Sequence, residues 1–423
     1  MLSWLLPTWG QLAAQPAPST SAEILDDPLE HNALASLRDL VVVGGGGTWP
    51  PRATYRDSWS LPLRPYDSVY RAMEASFAVE EASVDNAYNR KIIDAFRYGM
   101  RSQLEHHINL EEVQTALERC ESDSETCTQT AWLGLFACIA FLRHSYRWGV
   151  TPIVIEAQNE ETLTFPEQLD VPWTFLQRHF GTTSPGGNMT AILYSNMRLD
   201  NRLEYSVTVG MPENHRSTEY WNTKLIVDME ERVLPVYHLF AQAIAFLDAG
   251  DLIAACDALR SANEILRGAL KYFFSTMVEA NLAQKVWMAY VQGFQGWTLG
   301  GIDGISGGQS LVFRTLDAFL GIRPFPTPEK ESLHIPEVQR NWLNCLRDYD
   351  IRAAVKAYGE EGEAITAELE SLVKQLRLWR MGHMRRMQPY ESVRRPERKT
   401  MTAGISVVDA PNEDQMIEHL NKY

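Results

Sequence analysis

Apolar residues recur at steps of three and four along most of the chain, which is the spacing of an amphipathic helix. Before residue 147 this pattern predicts four helices, at residues 66–83, 86–107, 110–117 and 128–146. After residue 217 it predicts six more, at residues 218–250, 251–280, 281–294, 304–322, 335–349 and 361–387. Pro235 is expected to break or kink the first of these six, and Asp251 to cap the second.

Two stretches depart from the helical pattern. Residues 1–60 are rich in proline, serine and glycine, which predicts an ordered coil or a flexible arm with one short helix. Between residues 147 and 215, five prolines interrupt the chain, and the runs at 151–157 and 203–211 have the composition of a short paired sheet. We therefore predict a mainly α fold, in which a small, mostly helical N-terminal domain (61–200) follows the arm and precedes a large all-α domain (201–423).

The composition is that of a globular, acidic chain. Of its 423 residues 45% are apolar, and 39 basic against 54 acidic side chains give a net charge of −15. A chain this acidic lacks the basic face with which proteins bind nucleic acid. Five cysteines are few and odd in number, which is typical of a reducing cytoplasm, although Cys120 and Cys127 flank a polar loop and could pair.

No segment of the sequence has the features of a membrane span. The longest apolar run, residues 131–142, is too short to cross a bilayer and is expected to be a buried helix. The apolar N-terminus has no basic residue before it and is interrupted by Pro7, so a signal peptide is not expected. We expect a cytoplasmic monomer that binds neither nucleic acid nor membranes.

Residues 304–322, GISGGQSLVFRTLDAFLGI, combine a glycine-rich start with an apolar helix that contains one acid, Asp317. The stretch lacks the Lys-Ser/Thr pair of a phosphate-binding loop, and the chain has no HExxH, paired CxxC or GxSxG motif. A buried aspartate needs a cation, and Arg380 is a candidate. Arg380 lies one turn before His383 on a helix whose other face is apolar, and a neutral imidazole held there could bind iron. A solvated, charged helix end is the simpler interpretation of His383 taken alone.

These segments resemble the indoleamine 2,3-dioxygenase family. The 304–322 stretch is similar to the family's G-G-S-A-G-Q-S-S-x5-D-x-x-L-G-I signature, and RMGHMRRMQPY (380–390) is similar to its R-x-x-H segment. Three further stretches resemble family segments, namely LGLFACIAFLRHSYRWG, FPEQLDVPW and MEERVLPVYHLFAQAIAFLDAGD. The first 60 residues match little.

The resemblance implies a haem-dependent enzyme that inserts both atoms of O₂ across the C2–C3 bond of an indole, as in the conversion of tryptophan to N-formylkynurenine. By position, His383 would be the proximal ligand of the haem b iron in the large domain. Asp317 and Arg380 would be the buried pair that orients it. Ser306 and Gly307 would line the catalytic, distal face, and the nearby glycines would let the backbone approach haem and substrate.

The substrate pocket departs from the family pattern. The resemblance places the pocket at Trp221, Asn222, Ile226, Trp287, Val291, Asn188, Thr402 and Gly404. Val291 stands where the family has an arginine that pairs with the substrate carboxylate, and losing one partner of such a buried pair costs about 2–5 kcal/mol. We therefore expect an indole without a free carboxylate to bind better than L-tryptophan, unless Arg198 or Arg216 replaces the missing cation.

Three functions stay open at this point. The first is indole dioxygenation. The second is monooxygenation or rearrangement of an indole by a secondary-metabolism enzyme of the same fold. The third is a haem sensor or carrier without turnover. A helical interaction protein without haem is the remaining alternative.

Overall fold

Helices form nearly all of the regular structure in the computed structural model, which describes residues 21–53, 56–77, 85–123, 127–149, 160–323 and 328–392. The helices before residue 200 are α1 (Ser21–Leu25), α2 (Asn32–Asp39), α3 (Pro65–Glu74), α4 (Asn86–His107), α5 (Leu110–Ser122), α6 (Gln129–Trp148), α7 (Glu167–Phe180) and α8 (Met189–Ile192). Those after it are α9 (Glu213–Asp248), α10 (Leu252–Thr276), α11 (Gln284–Val286), α12 (Gln292–Gln295), α13 (Leu311–Phe319), α14 (Pro328–His334), α15 (Glu337–Tyr349), α16 (Ile351–Lys356) and α17 (Glu363–Ser392).

Short turns of other helix types connect these elements. Two are π-helical, at Leu40–Gly44 and Trp287–Val291. The 3₁₀ turns are Arg56–Ser58, Leu61–Leu63, Ala75–Phe77, Tyr194–Asn196, Leu299–Gly301, Gly307–Gln309 and Gly359–Gly362. The mainly α class predicted from the periodicity is therefore confirmed in the described residues. The predicted division into a small and a large domain stays a prediction.

The run at 203–211 is not a strand, so the paired sheet predicted there is wrong. No strand forms in the described part of the chain, and the run makes one isolated bridge, between Leu203 and Met197. Side chains occupy the backbone groups that a neighbouring strand would need. The N–H groups of Val207 and Thr208 donate to the carboxylate of Glu219 at 2.9 and 3.1 Å. The other β-like run, 151–157, lies outside the described residues.

Pro235 does not break its helix, so that part of the prediction is wrong, and a kink at this position stays a prediction. α9 runs without interruption from Glu213 to Asp248 with Pro235 inside it. Both sides of the proline are buried, so packing stabilises the helix across the missing N–H. Asp251 begins α10 as predicted, and its carboxylate accepts from the N–H of Ala254 at 3.0 Å.

From residue 21 onward, the predicted arm is docked on α9. It forms two α-helices, α1 and α2, where one was predicted. Ile24, Leu34 and Leu37 are buried. Asp27 contacts the ring of His238 at 2.5 Å, which makes His238 a core histidine with a partner. This segment therefore belongs to the core.

The core joins all of these elements and places the helices that carry the predicted site. α6 is buried along almost its whole length, as the apolar run at 131–142 predicts. α9 and α10 pack along each other, α17 packs on α10, and α13 packs between α9 and α15. Phe240 of α9 and Phe319 of α13 stack with ring centroids 3.7 Å apart. α13 and α17, which carry Asp317 and His383, are thus both held by the α9–α10 pair.

Candidate active site around His383

His383 lies on α17 within a group of aromatic rings. Its imidazole stacks on Trp379, with centroids 4.9 Å apart and planes 12° from parallel. Phe273 of α10 approaches edge-on at 5.6 Å. Trp379 also stacks on Phe313 of α13 at 4.0 Å. Burial among these rings lowers the pKa of His383 to about 4, so the imidazole is neutral at pH 7.

Asp317 and Arg380 form the ion pair that the sequence predicts. One terminal nitrogen of Arg380 donates to both carboxylate oxygens of Asp317, at 2.6 and 2.8 Å. Asp317 is buried, whereas the Arg380 side chain keeps 26% of its surface exposed. Burial raises the pKa of Asp317, and the charge of Arg380 opposes that effect. The pair ties α13 to α17 one turn before His383.

Further charges lie behind Asp317. Arg314 and Arg347 both pair with the buried Glu331 of α14. Their positive charges also act on Asp317 and lower its pKa, in the same direction as Arg380. The carboxylate of Asp317 therefore sits in a region with a surplus of guanidinium groups, which favours its ionised form.

The glycine-rich segment serves two different purposes. A side-chain carbon on Gly304 would lie 2.3 Å from the carbonyl oxygen of Gln295, so this glycine is needed for contact between two backbone segments, not for approach to a ligand. Gly307 is exposed, and a side-chain carbon there would meet no atom within 4 Å. Ser306 caps the Gly307–Gln309 turn by accepting from the N–H of Gly308 at 3.3 Å. Of these positions, Gly307 borders open space and Ser306 is partly exposed.

Glu230 is a residue of this region that the sequence reasoning missed. It is fully buried on α9, and its carboxylate accepts hydrogen bonds from five neutral donors. These donors are Trp49 Nε1 (3.1 Å), Tyr194 OH (2.6 Å), Tyr237 OH (2.9 Å), the Val312 N–H (3.1 Å) and Ser310 Oγ (3.4 Å). Two of them belong to the start of α13, so Glu230 fixes the point where the glycine-rich segment becomes the helix of Asp317.

A signal for Glu230 was present in the sequence. The residues three and four positions away on α9 are Ile226, Val227, Val233 and Leu234, all apolar. This spacing places Glu230 on the buried face of the helix, where a carboxylate requires partners.

Part of the predicted substrate pocket is brought together. The indole Nε1 of Trp287, in the π turn, donates to the side-chain oxygen of Asn222 on α9 at 2.9 Å. Trp221 and Ile226 are half-buried on the same helix. Val291 is buried and adds an apolar surface at the end of the π turn.

Other predicted pocket residues are engaged elsewhere or are not described. Asn188 is buried, and its side-chain oxygen caps α8 by accepting from the N–H of Ala191 at 3.0 Å. Thr402 and Gly404 lie outside the described residues. Of the two proposed replacement cations, Arg198 pairs with Asp200 and Glu204. Arg216 pairs with the neighbouring Glu213 on the exposed first turn of α9.

Two cavities among the described residues lie away from His383. The larger, about 570 Å³, is a surface cleft between the Leu61–Leu63 turn and α5, lined by residues that include Ser60, Asn109 and Arg119. The smaller is bordered by residues that include Phe77, Val207 and Phe294. Neither contains a residue of the predicted site, so neither supports it.

The donor chemistry at His383 fits a haem. A neutral imidazole is the usual proximal ligand, and the porphyrin would supply the four nitrogen ligands that the protein does not. Within the described ranges, no group of three or more His, Cys, Asp or Glu side chains could hold a metal ion. A single histidine therefore suits an iron that brings its own macrocycle.

No helix in the described residues has both the length and the apolar character that crossing a membrane requires. None of the known protein-family models matches the chain, and no curated protein matches it.

Proposed function

We propose that this protein is a haem-dependent oxygenase related to the indoleamine 2,3-dioxygenases, acting on an indole without a free carboxylate. The observation that carries the proposal is the contact between Arg380 and the buried Asp317, 63 positions apart in sequence. It lies one turn before a neutral, half-buried histidine. A pair so placed restrains the helix that would present an iron ligand.

The protein residues would hold and orient, and the cofactor would supply the redox chemistry. His383 would hold the haem, whose ferrous iron activates O₂ when bound. Phe313, Trp379 and Phe273 exclude water around the imidazole and fix its plane. No protein base is needed for attack on the indole, because its own π-system provides the electrons.

The substrate class follows from the charges near the predicted pocket. Val291 is buried and apolar where a carboxylate-binding arginine would stand, and both Arg198 and Arg216 are already paired with acids. Asn222 accepts from Trp287, so the carboxamide oxygen is used within the protein. An uncharged or cationic side chain on the indole would enter this region without leaving a buried carboxylate unpaired.

The cofactor is tested by absorbance of the full-length protein purified with haem supplied. We expect a Soret band in the wild type and in His107→Ala, a control at the exposed end of α4. We expect the band to be lost or strongly shifted in His383→Ala. A wild type without the band, or a His383→Ala variant that keeps it unchanged, rejects haem ligation by His383.

The reaction is tested by product mass after incubation with ascorbate, methylene blue and O₂. We expect tryptamine to gain two oxygen atoms, and L-tryptophan to react more slowly. A gain of one oxygen indicates monooxygenation instead. Haem binding without any product indicates a sensor or carrier. Faster turnover of L-tryptophan than of tryptamine rejects the substrate assignment while leaving the haem assignment standing.

A further inference from the structure

Cys120 and Cys127 are brought into contact at the junction of α5 and α6. Cys120 lies in the last turn of α5, and Cys127 directly precedes Thr128, the residue that caps α6. Both cysteines are free, and they are only 3% and 4% exposed. Their thiols form a hydrogen bond with each other. The other three cysteines, Cys138, Cys256 and Cys345, are free thiols on α6, α10 and α15.

The hydrogen bond shifts the pKa values of the two thiols in opposite directions. The Cys127 thiol donates to the Cys120 sulfur, and this hydrogen bond lowers the pKa of Cys120. The same interaction, together with burial, raises the pKa of Cys127 far above its usual range. Cys120 therefore carries the greater thiolate character, and a thiolate is the form that attacks oxidants.

We propose that Cys120 and Cys127 are a redox pair that a small peroxide converts into an intramolecular disulfide. The Cys120 sulfur attacks one peroxide oxygen, the O–O bond breaks, and a sulfenic acid and water form. The Cys127 sulfur then attacks the Cys120 sulfur, the S–O bond breaks, and the disulfide and a second water form. Two electrons pass from the two sulfurs to one peroxide, and the two thiol protons leave in the two water molecules.

Burial selects the size of the oxidant. Because both cysteine residues are almost fully buried, the pair is shielded from glutathione-sized disulfides, whereas hydrogen peroxide is close in size to water. The disulfide would link the end of α5 to the cap of α6, next to two contacts that attach this junction to α7. These contacts are the Arg178–Glu121 ion pair at 3.0 Å and the stacking of His179 on Trp132 at 4.3 Å. Oxidation would therefore restrain a junction that the reduced protein holds by weaker contacts.

The experiment counts thiols in the full-length protein, as purified, after brief exposure to hydrogen peroxide and removal of the excess with catalase. Proteins are then denatured, alkylated, digested and weighed. We expect the wild type to lose two of its five thiols, with the Cys120 and Cys127 peptides joined and separated again by dithiothreitol. Cys345→Ser, which removes a half-buried thiol on α15, should form the same link.

Two further variants separate the two roles. In Cys127→Ser, dimedone should label Cys120 as a trapped sulfenic acid; in Cys120→Ser, Cys127 should remain an unlabelled thiol. Five thiols in the treated wild type would overturn the proposal, as would a link between other cysteines or equal labelling of the two variants. The result is independent of haem binding, so the proposed function and this redox pair fail separately.

Discussion

The two ends of α13 hold buried carboxylates in opposite ways. At the start of the helix, Glu230 is satisfied by indole, hydroxyl and amide donors, and none of the hydrogen bonds to it comes from a charged group. Near the end, Asp317 is satisfied by the guanidinium of Arg380 and lies close to two further arginines. Burial raises the pKa of both carboxylates, and only at Asp317 do neighbouring positive charges oppose it.

The start of α13 is held by more contacts than its end. The five donors to Glu230 come from four separate segments of the chain, so they fix the start of α13 against the arm, the Tyr194 turn and α9. The Asp317–Arg380 pair joins two helices only, and its guanidinium is partly solvated. We infer that the Glu230 end of α13 is the fixed point of the candidate site and that the Asp317 end is where the histidine helix can adjust.

The largest effect is expected from Glu230→Ala. The change leaves Trp49, Tyr194, Tyr237 and the Val312 N–H without their shared acceptor inside the core. Each unsatisfied buried donor costs about 1–3 kcal/mol, so the loss in the free energy of unfolding should exceed about 4 kcal/mol. Urea denaturation followed by far-ultraviolet circular dichroism measures it.

Glu213→Gln is the control for this prediction, because Glu213 is an exposed acid on the first turn of the same helix. It should change stability by less than about 0.5 kcal/mol. Glu230→Gln, which keeps one acceptor oxygen, should fall between the two. A Glu230→Ala variant as stable as Glu213→Gln would show that the hydrogen bonds to Glu230 contribute little to stability. They would then not fix the start of α13.

At the other end of α13, the two partners should not be equivalent. Arg380→Met leaves a buried carboxylate unpaired and should cost about 2–4 kcal/mol. Asp317→Asn leaves a guanidinium that reaches water and should cost about half as much. In Arg380→Met, the unpaired, buried Asp317 keeps a raised pKa. The variant therefore loses stability as the pH rises through that pKa and the carboxyl group ionises.

The pH therefore provides the check on this asymmetry. The destabilisation by Arg380→Met, relative to wild type, should shrink between pH 7 and pH 4.5. That of Asp317→Asn should not shrink, because asparagine does not titrate and the raised pKa of Asp317 makes the wild type more stable as the pH falls. Equal penalties for the two variants at both pH values would mean that Asp317 is already protonated beside Arg380, and its end of α13 would then resemble the Glu230 end.

The Asp317–Arg380 pair was predictable from sequence, and the Glu230 network was not. An acid among apolar residues needs a cation if its helix is buried, and Arg380 on the histidine helix was the candidate. The apolar residues around Glu230 on α9 indicate its burial, but they do not indicate its partners. Its partner Trp49 is 181 positions away, and no local pattern indicates such a contact.

The same distinction holds for the fold. Helix period and caps are local, so most of the helices and the role of Asp251 followed from the sequence. α7 (Glu167–Phe180) is an exception, because it lies in the stretch that was expected to depart from the helical pattern. The run at 203–211 was misjudged because a distant carboxylate, Glu219, takes the N–H groups that a strand would use. The close backbone contact at Gly304 was missed for a related reason, since the segment that crosses it could not be seen in the sequence.

His144 is a buried base whose hydrogen-bond partners are neutral, as those of Glu230 are. The ring of His144 lies between the Phe294 carbonyl at 2.7 Å and the Gly187 N–H at 2.9 Å, and burial lowers its pKa to about 4. A lowered histidine pKa gives stability that is complete above about pH 6.5 and is lost as the pH falls toward 4. One such group contributes a slope of about 1.4 kcal/mol per pH unit in this window.

His144→Gln keeps a donor and an acceptor but does not titrate. The variant should lose less stability than the wild type between pH 6.5 and 4.5, whereas His107→Gln, at the exposed end of α4, should follow the wild-type curve. Parallel curves for all three proteins would show that His144 is protonated in the folded state, contrary to its contacts.

The smallest effect is expected from Trp379→Phe. Trp379 Nε1 is buried and has no hydrogen-bond partner among the described residues, whereas Trp342 Nε1 donates to Thr315 of α13 at 3.0 Å. Replacing Trp379 removes apolar contact with Phe313 but also removes an unsatisfied donor, so the net change should stay within about 1 kcal/mol. Trp342→Phe removes a similar area and leaves a buried hydroxyl without its donor, and should cost about 2 kcal/mol.

If Trp379→Phe proves as costly as Trp342→Phe in the protein without haem, its Nε1 has a partner within the protein. If its cost appears only once haem is bound, measured as a lower midpoint of haem loss on heating, that nitrogen faces the cofactor side of the α17 helix.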